Sequence, residues 1–97
     1  MRFAVADDVL LARKAVEKLI LEWDRDSTVC CSCDNGDEVL KVLEDQKVDV
    51  LVTDIRMPVL SGLELIKKVI DEGRSVHFIV ISGYKYFEYA QQAIKYG

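Results

Sequence analysis

Three aspartates stand where apolar runs stop. Asp7 and Asp8 follow Phe3-Ala4-Val5-Ala6, and Asp54 follows Val50-Leu51-Val52-Thr53. A further run, Phe78-Ile79-Val80-Ile81, gives way to the hydroxyl of Ser82 and then to Gly83. Any one of these aspartates is most simply a helix cap or a turn residue. Together they describe a site if the runs are neighbouring parallel strands, about 4.8 Å apart. Three carboxylates in one pocket repel, and at least one stays protonated unless a cation binds. An all-oxygen set suits Mg²⁺, which takes one or two carboxylates and keeps several waters. Such an ion can screen an incoming phosphoryl group and align it with an attacking carboxylate. Asp and Glu carboxylates act as nucleophiles in phosphoryl transfer.

The elements that must position these groups can be read from periodicity. Arg2–Ala6, Thr28–Cys33, Val48–Thr53 and Val76–Ile81 read as short strands, the third apolar without alternation, as suits a strand covered on both faces. Between them run helical spacings. From about Val9 to Trp23 the stripe is Ala12, Val16, Leu19, Ile20 and Trp23. Gly36, Val39, Leu40 and Leu43 share one face, and Leu63, Ile66, Val69 and Ile70 another. Gly73 can close the third helix in the left-handed conformation. A fourth helix is expected from about Tyr84 to Tyr96, capped by Gly97. The order βαβαβαβα predicts an α/β fold, a parallel sheet with helices on both faces and right-handed crossovers. Ligands in such folds bind beyond the carboxyl ends of the strands, where the acids lie.

Composition narrows the function. The chain has 97 residues, enough for one core; 51% are hydrophobic and 31% charged, which excludes a disordered tail. The net charge of −4 argues against direct binding of nucleic acid or an anionic membrane. No apolar run approaches the ~20 residues of a membrane span, and Asp7 stops the first run too early for a signal peptide. A cytoplasmic location is expected. Cys30, Cys31 and Cys33 lack a second ligand cluster or a partner base and read as small strand residues kept reduced. The five glycines are too scattered for a nucleotide-binding loop.

Asp7-Asp8, Asp54, Met57-Pro58, Gly62 and Ser82, in that order and spacing, resemble the receiver domain of two-component response regulators. The resemblance runs from about Phe3 to Gly97 and implies a flavodoxin/CheY-like fold, a single receiver domain over 1–97. Ser82-Gly83-Tyr84 with Phe87-Glu88-Tyr89-Ala90 is similar to the subgroup with an AraC-type DNA-binding output. The resemblance implies that Asp54 accepts a phosphoryl group from the phosphohistidine of a sensor histidine kinase. It implies that Asp7, Asp8, Asp54 and the main-chain carbonyl of Arg56 hold Mg²⁺. Ser82 would bind the phosphoryl oxygen and act as the switch, and Met57, Gly83 and Tyr84 would flank the pocket.

The family unit carries a fifth strand and helix, and this sequence ends before both, so the domain reads as incomplete at its C-terminus. The lysine that follows the family's fifth strand is absent, and Val9 stands where relatives often carry another acid. Self-association through the open edge of the fourth strand is expected. The alternative function is a pseudo-receiver, an interaction module that is not phosphorylated. A small Mg²⁺-dependent phosphatase is disfavoured because those with an aspartyl nucleophile usually carry D-x-D where this chain has Asp7-Asp8-Val9. The domain is expected to be a signalling switch, not a turnover enzyme.

Overall fold

In the computed structural model, residues 1–57 and 59–81 are described. They form β1 (Arg2–Ala6), α1 (Leu10–Trp23), β2 (Thr28–Cys33), α2 (Gly36–Asp45), β3 (Val50–Asp54), α3 (Gly62–Asp71) and β4 (His77–Ile81). The strands pair in parallel in the order β2-β1-β3-β4. Each strand is therefore reached by a crossover, and each crossover is a helix, as parallel pairing requires. The fold class matches the α/β expectation. The fourth helix expected over 84–96 lies outside the described residues.

The two central strands are buried along nearly their whole length, because each is flanked by strands on both edges. One sheet face is closed by α2 and α3, with Ala4, Ala6, Leu51, Val39, Leu43 and Leu65 among its core residues. The other carries α1 over Phe3, Val5, Val50 and Val52, with Ile20 as the buried contact. The expected α1 stripe is only partly buried: Leu19 is 64% exposed and Trp23 72%. They line an open apolar groove of about 510 Å³ between α1 and the β3–β4 side of the sheet. Trp23 still meets the sheet through Phe3, ring centroids 6.4 Å apart and edge to face, but most of its indole remains exposed along the groove.

Local signals explain the helix ends. Asn35 caps α2 by accepting from Glu38 N–H at 2.9 Å. Ser61 and Glu64 form a reciprocal capping box at the start of α3. Gly73, at φ +73°, ends α3 in the left-handed region, as its residue type suggested. On α3 the buried positions are Leu65, Ile66 and Val69; Leu63 and Ile70 are displaced toward its rim.

The cysteines depart from expectation. Cys31 and Cys33 form a disulfide, with Cα atoms 6.1 Å apart, and Cys30 is free. Residues two apart on a strand face the same side, which brings these two sulfurs together, and the β1–β2 register shifts beside them, passing over Cys30.

Candidate functional site

The β1–β3 pairing decides where the acids go. Ala6 is opposite Thr53, so the residues that follow, Asp7 on one strand and Asp54 on the other, emerge side by side at the same edge. Asp54 is the last residue of β3, not the first of the loop. Asp7, Asp8 and Asp54 each offer a carboxylate oxygen, and these atoms all lie within 4.8 Å of one another. Asp7 is buried, Asp54 half-buried and Asp8 exposed, so the cluster is rooted in the sheet and open to solvent on one side.

Backbone donors hold the two rooted acids. Asp7 Oδ1 accepts from Val9 N–H at 2.9 Å, and Asp54 Oδ1 accepts from Ile55 N–H at 2.8 Å. Thr53, fully buried, donates its hydroxyl to the Asp54 carbonyl at 2.9 Å and also reaches Met57 Sδ at 3.8 Å. The Asp54 carboxyl is raised above its ordinary value, chiefly by burial, then by the charge of Asp7, with Asp8 adding to it. The backbone N–H groups of Ile55 and Arg56 oppose the shift. Burial and neighbouring carboxylates thus act in the same direction on this group, burial the more strongly.

Past Asp54 the chain turns closely over itself. Gly62 N–H donates to Ile55 carbonyl at 2.8 Å, and a Cβ on Gly62 would run into the Asp54 backbone carbonyl. Only glycine lets α3 start this near the acid. Val59, in the same loop, has φ +70°, which is strained for a β-branched residue. Beside the acids opens a cavity of about 410 Å³ lined by Asp8, Arg56, Met57 and Ser61. Arg56 and Met57 stand at this cavity. Ser82, Gly83 and Tyr84 lie outside the described residues.

An open pocket of hard oxygen donors, fixed by backbone N–H groups, fits Mg²⁺ by the chemistry of its donors. Sequence reading missed two contributors. Thr53 supports the backbone of Asp54, and Arg13 reaches back from α1 to the Asp7 carbonyl at 2.8 Å. A cation one turn into the helix after an acid pair was the available signal for the second.

Residues 3–97 match the family model of the response regulator receiver domain. The chain belongs to that family. Among similar proteins, this receiver domain is 42% identical over 79 residues to the uncharacterized transcriptional regulatory protein YesN of Bacillus subtilis, covering 80% of this chain and 22% of that one. It is 33% identical over 91 residues to the sensory transduction protein LytT of Oceanobacillus iheyensis, covering 94% of this chain and 37% of LytT. Among solved structures, the REC domain of AraT, a response regulator from Geobacillus stearothermophilus, superposes with a TM-score of 0.87 at 33% identity, covering 99% of this chain and 74% of that one. The chain spans less than half the length of these two curated relatives. It is a signalling domain of two-component systems, and its family implies a phosphoacceptor role. Among the described residues no helix is long and apolar enough to cross a membrane.

Proposed function

We propose that Asp54 is the phosphoacceptor of this receiver domain, with Mg²⁺ held by Asp7, Asp8, Asp54 and the main-chain carbonyl of Arg56. The observation that carries this reading is the meeting of the three carboxylates within 4.8 Å at the carboxyl edge of the sheet. An oxygen of Asp54 attacks the phosphorus of a phosphohistidine. The P–N bond breaks, its electron pair goes to the imidazole, and an acyl phosphate forms on Asp54. Water later cleaves the acyl phosphate to carboxylate and inorganic phosphate. Mg²⁺ held by these residues would supply the positive charge that the cluster lacks and offset charge on the phosphoryl oxygens. Asp54 must be ionised to attack, and the Ile55 N–H holds its Oδ1 in place. The cavity beside Asp8 and Ser61 has room for the transferred group. The added phosphate brings about −1.5 to −2 charges to one spot, enough to bias a two-state loop. Ser82 is the proposed switch hydroxyl, and Met57, Gly83 and Tyr84 are the proposed pocket-flanking residues.

The donor on this reading is a sensor histidine kinase in the cytoplasm, and the output is transcriptional, as the name of YesN suggests for that relative. A second copy of the chain is a further proposed partner. Ile79 and Ile81 are exposed on β4, which is the edge strand among the described residues. Monomeric light scattering at high protein concentration would reject that partner.

Acetyl phosphate with Mg²⁺ tests the central reading. The chain is expected to gain one phosphoryl mass, and Asp54→Asn to gain none. A wild-type chain that gains none is a pseudo-receiver.

A further inference from the structure

We propose that Arg13 is a positioning residue for the acid cluster, holding the peptide between Asp7 and Asp8 so that both carboxylates face Asp54. The inference rests on the reading of the cluster as a cation site. Arg13 lies in the first turns of α1, its backbone N–H on the Val9 carbonyl at 3.1 Å. Its side chain does not follow the helix outward. Nη1 turns back and donates to the Asp7 carbonyl at 2.8 Å. That carbonyl belongs to the peptide joining the two acids.

The rest of Asp7 is also tied. Its N–H donates to the Cys33 carbonyl at 3.1 Å, and its Oδ1 accepts from Val9. Asp8 is exposed, so its direction is set by the peptide that carries it, and Arg13 holds that peptide from the helix side. A second observation supports a role beyond stability. Arg13 Nε is buried and has no hydrogen-bond partner among the described residues. A buried donor left unpaired is unfavourable, and a surface helix could replace this side chain with one that leaves none.

The sign of the effect separates positioning from simple charge. Arginine is always protonated, so its charge by itself opposes a second cation nearby. If charge were its whole contribution, Arg13→Ala would bind Mg²⁺ more tightly. If it positions the peptide, Arg13→Ala binds more weakly, because the Asp8 carboxylate is no longer aimed at the cluster. Loss of an outer group that orients metal ligands lowers affinity by about 10–100-fold; the lower end is expected here, since water can reach the freed carbonyl.

The test is calorimetric titration of the 97-residue chain with Mg²⁺ for wild type, Arg13→Ala and Arg13→Lys. Thermal unfolding of each is measured without the ion, and phosphoryl uptake from acetyl phosphate is read by intact mass at limiting and saturating Mg²⁺. Arg13→Ala is expected to raise the Mg²⁺ dissociation constant about tenfold, and Arg13→Lys, which can still donate to the Asp7 carbonyl, to recover most of the loss. The loss of uptake is expected to be larger at limiting than at saturating Mg²⁺. Unchanged or tighter binding in folded Arg13→Ala overturns the proposal. Equal loss of uptake at limiting and saturating Mg²⁺ also overturns it, since that marks a purely structural role. Absence of Mg²⁺ binding by the wild-type chain sinks the cation reading and this inference with it, whereas equal binding by wild type and Arg13→Ala sinks this inference alone.

Discussion

An aspartate stands at each end of β3, and the two are treated in opposite ways. At the lower end, Asp49 Oδ2 accepts from Arg2 N–H at 2.8 Å, its own N–H donates to the Arg2 carbonyl, and its carbonyl accepts from His77 N–H. One residue ties β1, β3 and β4 together, and its carboxyl is lowered from its ordinary value, chiefly by the Arg2 backbone N–H. At the upper end, Asp54 is raised by burial and by two like charges. The lower acid is satisfied by the fold. The upper one is held against its own electrostatics, as a group kept for a ligand is. On the proposed reading, stability and reactivity thus fall at opposite ends of one strand.

The largest effect should come from disturbing the upper end sterically. Gly62→Ala forces a Cβ into the Asp54 carbonyl and is expected to lose about 3 kcal/mol, the upper part of the range for overpacking. Chemical denaturation would measure it, and phosphoryl uptake should fall in parallel because β3 must shift. Next come the two acids themselves, with opposite signs. Asp49→Ala is expected to destabilise the chain at neutral pH by removing the acceptor of Arg2 N–H. Asp54→Asn, without added metal, is expected to stabilise it by removing a part-buried charge and, secondarily, its repulsion with Asp7 and Asp8. Equal signs would erase the contrast.

Their pH dependences sharpen it further. The lowered carboxyl of Asp49 contributes stability above its unfolded value of 3.8, and the contribution is lost as pH falls through the lower folded value. The raised carboxyl of Asp54 works the other way: stability is lost as pH rises from 3.8 through the higher folded value. The advantage of Asp54→Asn over wild type should therefore be absent in acid and grow toward neutral pH, and unfolding curves across that range would show it. The smallest effect is expected at Val59, 86% exposed in the left-handed region, where Val59→Gly should gain up to about 1 kcal/mol. A loss there would mean that the valine side chain makes contacts that outweigh its backbone strain.

Much of this frame was legible in the sequence. The bounds of β1 and β2 follow directly from the apolar runs and the turn residues after them. The convergence of Asp7, Asp8 and Asp54 follows from parallel topology, because strand ends in such sheets lie on one edge. The face of α1 was less legible: periodicity marks Leu19 and Trp23 as apolar, but how far a stripe is covered depends on what lies across from it. On α3, Leu63 and Leu65 compete for the core within one turn, and the close start at Gly62 sets the rotation that buries Leu65. The Cys31–Cys33 bond and the return of Arg13 to the Asp7 carbonyl depend on side-chain directions, which spacing alone does not specify.

The pairing of β1 with β3 brings together stretches of chain 47 positions apart, Phe3 beside Val50. An ion that needs both Asp7 and Asp54 therefore has nothing to grip in any half-assembled form, since neither segment presents the full ligand set. Added magnesium would act as a selective ballast for the finished molecule, shifting the equilibrium between folded and unfolded chains by mass action without slowing the search that leads there.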